Sequence, residues 1–299
     1  MAYVITGGAG NISKPLVLQL LQAGKQVIVV GRNAANLKEL TDAGATAAIG
    51  SVEDVEFLTK TFTGAEAVFT LVPPKWDAAD WKGYIGTIGE NFAKAIRAAG
   101  VKHVVNLSSI GAHLAEGAGP VSGLYREEQA LNTLTDVHIK HLRPAYFYPN
   151  LFANIGLIKQ AGIIGGNYGG GSNSFALVAP ADIAEVAAEE LLNLSFTGHT
   201  VRYIASDEKT GSEIAAIIGA AIGKPELPWV EFTDEQSLQG AIGAGLSEEV
   251  AKNYTEMGHS LRTGVFSEDY FNNRPAILGK TKLEDFAKVF AAVYHSQNA

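Results

Sequence analysis

Residues 1–13 read MAYVITGGAGNIS, and this stretch decides the fold. A short apolar run that includes Val4 and Ile5 ends in three glycines and an alanine, and a leucine-rich helical pattern follows. This order predicts a buried strand that turns sharply into a helix. Glycine suits such a turn because it lets the main chain approach a pyrophosphate closely, while the free N–H groups at the helix start attract negative charge. The stretch therefore predicts a dinucleotide-binding turn.

The spacing of the small residues fits such a turn in two frames. Gly8-x-Gly10-x-x-Ser13 follows the G-x-G-x-x-G template with serine as its third member, and Gly7-x-x-Gly10-x-x-Ser13 follows a wider glycine spacing. The alternative, an ordinary glycine-rich turn, is disfavoured by the strand before it and the helix after it. We expect four residues of the turn to contact the cofactor, namely Gly7, Gly10, Asn11 and Ile12.

The composition indicates a globular protein with a large core, since 47% of the 299 residues are hydrophobic and 18% are charged. A net charge of −8 without a cluster of lysine and arginine argues against binding to nucleic acid or to an anionic membrane surface. The absence of cysteine excludes disulfides, thiolate catalysis and cysteine-ligated zinc or iron–sulfur clusters, and no residue pattern predicts a metal site. The start carries no basic leader and no apolar run reaches membrane-spanning length, so we expect a cytoplasmic protein.

Predicted strands and helices alternate along the chain, which is the pattern of a doubly wound α/β fold with a parallel sheet. We expect residues 1–150 to form a Rossmann-type core that binds the cofactor. No internal repeat or charged linker divides the rest of the chain. Residues 151–299 are therefore expected to form a smaller α/β lobe that binds substrate, with segments that return to the core.

The second predicted strand, residues 26–30, ends in Gly31, Arg32 and Asn33. Enzymes that bind NAD normally carry an acidic residue here, which accepts hydrogen bonds from the adenine ribose. Arg32 instead offers a planar fork that suits a 2′-phosphate, so NADP(H) is the expected cofactor. The alternative for Arg32 is a solvated arginine in a polar loop.

Further loops that follow strands are expected to border the cofactor. Ser51 follows the third strand, where the loop passes the adenine. Prolines that cannot continue a sheet end the fourth strand, and this loop supplies the expected contacts Leu71, Val72 and Pro73. Trp76 and Trp81 come next, either as a wall of the substrate pocket or as an amphipathic lid packed on the body.

The fifth predicted strand, residues 103–107, leads into Ser108 and Ser109 at the sheet edge where chemistry belongs. Ser109 is a candidate for orienting a substrate carbonyl, although two small polar residues that end a strand are as often a satisfied turn. His113 follows among alanines and glycines, and a lone loop histidine of this kind is usually solvated.

Seven segments in this order resemble the NmrA-like branch of the atypical short-chain dehydrogenases: TGGAGNIS, VVGRN, VVNLSSIGA, YREEQAL, LRPAYFYPN, PADIAEVAAEEL and GVFSEDY with LGKTKLEDFAKVF. The resemblance covers nearly the whole chain, and the segment 143–150 is its most characteristic part. The branch includes NADPH-dependent quinone and dye reductases, isoflavone-type reductases and members that only sense the NADPH/NADP ratio. The resemblance implies a Rossmann fold and NADP(H), whereas the reaction does not transfer with the fold.

By this resemblance, Pro144 and Tyr146 approach the nicotinamide end of the cofactor, and the residues after them help to shape a substrate cleft. The alternative is an aromatic-rich loop that joins the sheet to the lobe. The glycine-rich segment 162–171 suits either a mobile flap beside the cleft or a flexible surface loop. The expected cleft is lined by Trp76, Ser109, Phe147, Tyr148 and Tyr168.

The chain departs from catalytic short-chain dehydrogenases in the helix that carries YREEQAL. Those enzymes place lysine four residues after a tyrosine, and the lysine lowers the tyrosine pKa for proton exchange with substrate. Here the residue four positions after Tyr125 is Gln129, which supplies no positive charge. The catalytic residues are therefore open, with Tyr125 and Ser109 as the only candidates. Glu128 is expected to form a structural ion pair.

Two functions of different classes follow from these observations. The first is an NADPH-dependent reductase of a quinone, enone or other conjugated small molecule, in which positioning replaces the missing lysine. The second is a non-catalytic regulatory protein that responds to NADPH/NADP and acts through a protein partner. An epimerase or dehydratase ranks third because those reactions rely on the tyrosine–lysine pair. The reductase is favoured by the aromatic cluster 146–148, and a homo-oligomer is compatible with either function.

The reading of Arg32 has a direct test. We expect Arg32→Asp to weaken NADPH binding by more than about tenfold, because a charge-assisted contact of this kind contributes about 1.5–3 kcal/mol. NADH lacks the 2′-phosphate, and its affinity should change little. Titration of wild type and variant with NADPH and NADH measures the dissociation constants. Equal weakening of NADPH and NADH binding would show that Arg32 does not contact the 2′-phosphate.

Overall fold

The structure, a computed structural model, describes residues 1–170 and 174–296. Its largest sheet contains β1 (Ala2–Ile5), β2 (Val27–Gly31), β3 (Thr46–Ile49), β4 (Ala65–Thr70), β5 (His103–Leu107), β6 (His138–Pro144) and, later in the chain, β10 (His199–Ile204). These strands are parallel and lie in the order β3-β2-β1-β4-β5-β6-β10. The predicted Rossmann-type fold is confirmed, and the strand order reverses between β1 and β4, where such sheets bind ligands.

Helices cover both faces of this sheet, because alternate residues of a strand point to opposite sides. Tyr3 and Ile5 of β1 pack in one core with α1 (Ser13–Gln22), α2 (Ala34–Asp42) and α7 (Pro180–Asn193). Val4 packs in the opposite core with α3 (Val55–Phe62), α4 (Trp81–Ala99) and α5 (Val121–Asn132). Among the described residues, none of these or the later helices has the length and apolarity needed to cross a bilayer.

A smaller α/β lobe with its own core follows the large sheet, as predicted. Its strands are β7 (Tyr146–Phe147), β8 (Ile164–Gly166), β9 (Ser174–Val178), β11 (Asp207–Thr210) and β12 (Trp229–Glu231), which form a β11-β9-β7 sheet and a β12-β8 pair. Its helices are α6 (Ile155–Ala161), α8 (Gly211–Ala221), α9 (Asp234–Gly243), α10 (Glu248–Arg262), α11 (Glu268–Asn272) and α12 (Leu283–Ser296), with 3₁₀ turns at Tyr148–Asn154 and Val265–Ser267. β10 lies between these segments in the chain and pairs with β6 of the large sheet.

An acidic residue before an apolar helical run predicts a helix cap, and the sequence has such residues at Asp54 and Asp182. Asp54 caps α3 by accepting a hydrogen bond from the main-chain N–H of Phe57 at 3.0 Å, as its acidic cluster predicts. Trp81, in contrast, begins α4 and does not lie in the preceding loop. Asp182 does not cap a helix, because α7 begins two residues earlier at Pro180.

Asp182 instead ties three segments of the chain together. Its Oδ2 accepts hydrogen bonds from Ser206 Oγ at 2.5 Å and from the main-chain N–H of Thr281 at 3.1 Å, and its Oδ1 accepts one from Thr281 Oγ1 at 2.9 Å. A Cβ at Gly279 would lie 2.2 Å from Oδ2, so this approach requires glycine. The carboxylate thus anchors the segment before α12 to the edge of the large sheet.

Helices α4 and α5 approach each other closely because glycines line their contact. A Cβ added to Gly89 would lie 2.5 Å from the Cα of Glu127, and one added to Gly123 would lie 2.8 Å from the Cβ of Ile85. These distances leave no room for a methyl group between the two main chains. The pairing of α4 with α5 therefore depends on glycine at both positions.

A substitution at Gly89 tests this packing. We expect Gly89→Ala to lower the free energy of unfolding by about 1–3 kcal/mol, because the added methyl meets main chain that cannot rotate away. The control is Gly240→Ala in α9, where a Cβ meets nothing within 4 Å. Alanine there should leave stability unchanged or raise it by up to about 1 kcal/mol. Urea unfolding of both variants measures the difference, and equal midpoints would contradict the packing argument.

Glu127 brings a carboxyl group into the same contact. Its side chain is 0% exposed. Burial raises the pKa of Glu127 well above its ordinary value, the neighbouring Glu128 adds to this, and Asn106 acts in the opposite direction. Asn106 itself accepts from Thr70 Oγ1 at 2.7 Å and lies 3.2 Å from Nδ1 of His141, whose pKa burial lowers to about 4. The core beneath the sheet edge thus contains several polar side chains.

The raised pKa of Glu127 makes stability depend on pH with a defined sign. The folded protein keeps the carboxyl proton above pH 4.5, the ordinary value, whereas the unfolded chain loses it. The free energy of unfolding therefore falls as pH rises through this window, by up to about 1.4 kcal/mol per pH unit. Glu127→Gln removes the loss, so the variant should exceed wild type in stability at about pH 8 and by less at about pH 5. Urea titrations at both values measure this, and a gap that does not widen with pH would contradict it.

Candidate cofactor and substrate site

The turn after β1 has the backbone that a dinucleotide-binding loop needs. Gly7 and Gly8 adopt φ values of +95° and +59°, which disfavour other residues. A Cβ at Gly7 would lie 2.4 Å from Ser13 Oγ, and that hydroxyl donates to the carbonyl of Thr6 at 2.9 Å. Ser13 therefore packs under the turn in the place of the template's third glycine, and Gly7 admits no substitution.

A second hydroxyl joins this turn to the loop after β4. The main-chain N–H of Leu71 donates to Thr6 Oγ1 at 2.8 Å. The side chain of Leu71 also lies 3.3 Å from where a Gly7 Cβ would be. Val72 and Pro73 follow, half-buried, at the carboxyl end of β4. The structure therefore brings the predicted contacts of the first and fourth strands to one place.

The start of α1 offers main-chain donors to an anion. No side chain caps the helix at Ile12, and its first turn contains no acidic residue. The side chain of Ile12 is buried and that of Asn11 is exposed, so Ile12 can meet a phosphate only through its main-chain N–H. An uncapped helix N-terminus after a glycine turn suits a pyrophosphate.

Arg32 and Ser51 lie in neighbouring loops at the other side of the turn. The main-chain N–H of Gly50 donates to the carbonyl of Gly31 at 3.1 Å, which holds the two loops side by side. Arg32 is exposed and acts electrostatically on Tyr84, whose pKa is raised by burial and by Glu53 and lowered by Arg32. An exposed cation beside Ser51 at the end of β2 fits the adenosine end of a phosphorylated dinucleotide.

A buried ion pair lies at the ends of β5 and β6. Ser108 Oγ donates to Glu128 Oε1 at 2.5 Å, and Arg143 donates to both oxygens of Glu128 at 3.0 and 2.6 Å. Glu128 thus forms the predicted ion pair, and the hydroxyl of Ser108 is committed to it. Ser109 is half-buried beside it, where the main-chain N–H of Ile110 donates to the carbonyl of Pro144 at 3.0 Å.

Position 129, where catalytic short-chain dehydrogenases carry the lysine, does not lie at the sheet edge. Gln129 is exposed and lines a surface groove between α4 and α5 together with Arg97 and Arg126. A lysine at this position would enter the same groove. The departure from the tyrosine–lysine pattern therefore reflects how α5 is oriented, and Tyr125 on the same helix is half-buried.

Two residues of the expected cleft lie elsewhere. Tyr148 is 0% exposed, stacks on Phe286 at 5.4 Å and donates its hydroxyl to the carbonyl of Thr281 at 3.2 Å, so it belongs to the core of the smaller lobe. Phe147 packs against the core of the large sheet. Tyr146 and Phe147 face opposite ways because β7 is a strand, and the 3₁₀ turn that begins at Tyr148 carries its ring into the lobe. Tyr146 therefore remains the cleft candidate of this trio.

Aromatic side chains from four segments cross the carboxyl edge of the sheet. The ring of Tyr146 lies 6.0 Å from that of Tyr168, and Tyr254 of α10 acts electrostatically on the Tyr146 hydroxyl. Tyr254 in turn lies 6.2 Å from Trp76 in the loop after β4. We call Trp76, Tyr254, Tyr146 and Tyr168 the aromatic row. Sequence patterns missed Tyr254, because one tyrosine in a charged helix carries no signal for a contact more than a hundred residues away.

Burial also corrects the expectation for His113. Both of its ring nitrogens are buried, and among the hydrogen bonds of residues 1–170 and 174–296 neither finds a partner. It is not a solvated loop histidine. Its place after β5 puts an unsatisfied polar group beside the candidate site.

Known proteins are similar to this chain in sequence and in fold. The sequence model of an NAD(P)H-binding family matches residues 7–141. A (4-alkanoyl-5-oxo-2,5-dihydrofuran-3-yl)methyl phosphate reductase from Streptomyces griseus is 24% identical over 262 residues, which cover 88% of each chain.

Solved structures resemble nearly the whole chain. The triphenylmethane reductase of Citrobacter sp., complexed with NADP(H), superposes with a TM-score of 0.79 at 24% identity, covering 97% of this chain and 100% of its own. An NADPH-dependent quinone oxidoreductase from Escherichia coli, complexed with NADPH, gives 0.79 at 20% identity and covers 96% and 99%. The predicted nicotinamide cofactor is confirmed. The resemblance to the NmrA-like atypical short-chain dehydrogenases is thus confirmed in fold, and the NAD(P)H-binding family model matches 45% of the chain.

Proposed function

We propose that this protein is an NADPH-dependent reductase of a quinone, an enone or another conjugated small molecule. The observation that carries the proposal is the aromatic row, which crosses the sheet edge from the loop after β4 to the end of β6, beside the dinucleotide-binding turn. An apolar, aromatic cleft next to a nicotinamide site is suited to a flat acceptor.

In this assignment the cofactor contacts residues at the ends of five strands, β1, β2, β3, β4 and β6. The pyrophosphate is held by the main chain of Gly7, Gly10, Asn11 and Ile12, and Arg32 contacts the 2′-phosphate. Ser51 borders the adenine. Residues 71–73 cover the middle of the cofactor. Pro144 and Tyr146 border the nicotinamide, where the sheet edge and the aromatic row meet.

Hydride transfer to a conjugated acceptor needs little acid catalysis. Bound NADPH supplies a hydride, and an electron-poor acceptor accepts it when the two are held in contact and water is excluded. Tyr146 and Tyr168 bring neutral hydroxyls to the cleft, because burial raises the pKa of each. These hydroxyls, or water, are the proton sources in the proposal, and neither needs a lysine at position 129.

The similar proteins support a reductase more than a sensor. The relatives are named for reduction of a quinone, of triphenylmethane dyes and of an oxo-dihydrofuran, and each of these compounds offers a conjugated acceptor. These are the kinds of acceptor that a positioned hydride donor reduces without strong acid assistance. No comparable observation favours the non-catalytic regulatory alternative.

A panel of quinones and enones tests the function. We expect the reduced-nicotinamide absorbance of NADPH to decline faster with protein and quinone than with either alone. Tyr125→Phe should keep the rate within about twofold, whereas loss of a true acid catalyst costs about 100-fold or more. If NADPH binds but its absorbance never falls faster than in the uncatalysed mixture, the reductase proposal is lost.

A further inference from the structure

Trp76 is held firmly although much of its surface meets solvent. Its ring is 55% exposed, yet it lies 5.2 Å from the ring of Trp81 and stacks on Tyr254 at 6.2 Å with an interplanar angle of 26°. Aromatic pairs of this kind fix the ring orientation. A large apolar ring that is both fixed and exposed offers a contact surface for a ligand.

The partner ring belongs to a helix that is tied to the body of the protein. Glu249 of α10 accepts a hydrogen bond from the main-chain N–H of Trp81 at 3.0 Å, at the N-terminus of α4. Glu256 of the same helix pairs with Lys82 at 2.7 Å. Two contacts seven residues apart set the position of Tyr254 between them. The spacing between Trp76 and the rest of the aromatic row is therefore fixed.

The aromatic row is an uncharged surface. Burial raises the pKa of the Tyr146 hydroxyl, and Tyr168 and Tyr254 raise it further. Burial also raises the pKa of Tyr254, to about 12. Burial raises the pKa of Tyr168 as well, while hydrogen bonds with the side chains of Asn154 and Tyr146 lower it. The hydroxyls thus remain neutral at physiological pH and offer hydrogen bonds without charge.

Cations near the mouth of the cleft are already neutralised. Lys82 pairs with Glu256, and Arg126 pairs with Glu116 at 2.8 Å. Lys75, the neighbour of Trp76 in the chain, lies 3.6 Å from a carboxylate of Glu53 and 4.9 Å from the ring centre of Tyr84. An anionic acceptor that entered the row would lose hydration and gain no counter-charge from these groups.

We propose that Trp76 and Tyr254 form a stacking platform that selects an uncharged, flat, multi-ring acceptor over aliphatic enones and anionic esters. The inference rests on the proposed reductase function and names its substrate class. The acceptor ring lies against the exposed face of Trp76, and its carbonyl groups reach the hydroxyls of Tyr146 and Tyr168. The preference separates this chain from the Streptomyces griseus relative, which is named for the reduction of a phosphate ester.

Binding of a ring that cannot be reduced tests the platform without turnover. Calorimetry of dimethoxynaphthalene with the full-length protein saturated with NADP⁺ should give saturable binding. Trp76→Ala should weaken it by about tenfold, within the range for stacking on an aromatic side chain, and Trp76→Phe by much less. Ile277→Ala removes a side chain that is 87% exposed elsewhere and should leave binding unchanged. Unchanged NADPH affinity in Trp76→Ala shows that the variant is folded.

Kinetics separates the platform from the reductase function. Trp76→Ala should raise the KM for naphthoquinone about tenfold and leave the KM for cyclohexenone unchanged. The wild-type protein should bind naphthoquinone sulfonate at least about tenfold more weakly than naphthoquinone. If acceptors are reduced but Trp76→Ala alters none of these values, the platform is overturned and the reductase stands. If nothing is reduced while the naphthalene ring still binds through Trp76, the reductase fails and the platform stands.

Discussion

The hydroxyl of Thr6 is the interaction on which the site depends. It sits 2.8 Å from the main-chain N–H of Leu71, and the carbonyl of the same residue accepts from Ser13 at 2.9 Å. These two bonds join the ends of β1 and β4 to the start of α1 where the strand order reverses. The bond to Leu71 decides where the loop after β4 begins. That loop carries Trp76, so the geometry of the turn extends to the mouth of the proposed cleft.

The parts of the fold that local chemistry controls could be predicted from the sequence. The glycine turn, the cap at Asp54 and the alternation of strands and helices all follow from neighbours a few residues apart. The α/β lobe and the Glu128 ion pair also agree with expectation. The separate assignment of residues 1–150 and 151–299 stays a prediction, although β10 shows that the later part contributes a strand to the large sheet.

Contacts between distant segments were beyond the sequence patterns. Tyr146 and Tyr148 look equivalent in an aromatic run, but a strand followed by a 3₁₀ turn sends Tyr148 into the core of the lobe. Tyr254 joins the cleft only because α10 is tied to the start of α4. Asp182 likewise resembles a helix cap in the sequence, but in the structure it accepts hydrogen bonds from Ser206 and from Thr281 in the segment before α12. In each case the partner lies far along the chain, and periodicity carries no information about it.

The central claim is that the cleft positions an acceptor for direct hydride transfer. A single-turnover experiment with the NADPH-loaded protein and naphthoquinone, using cofactor deuterated in turn at each face of the nicotinamide C4, tests it most directly. The account predicts that deuterium at one face slows the loss of nicotinamide absorbance severalfold while deuterium at the other face does not. Loss of absorbance with no isotope effect at either face, or no loss at all from a protein that binds NADPH, would contradict it.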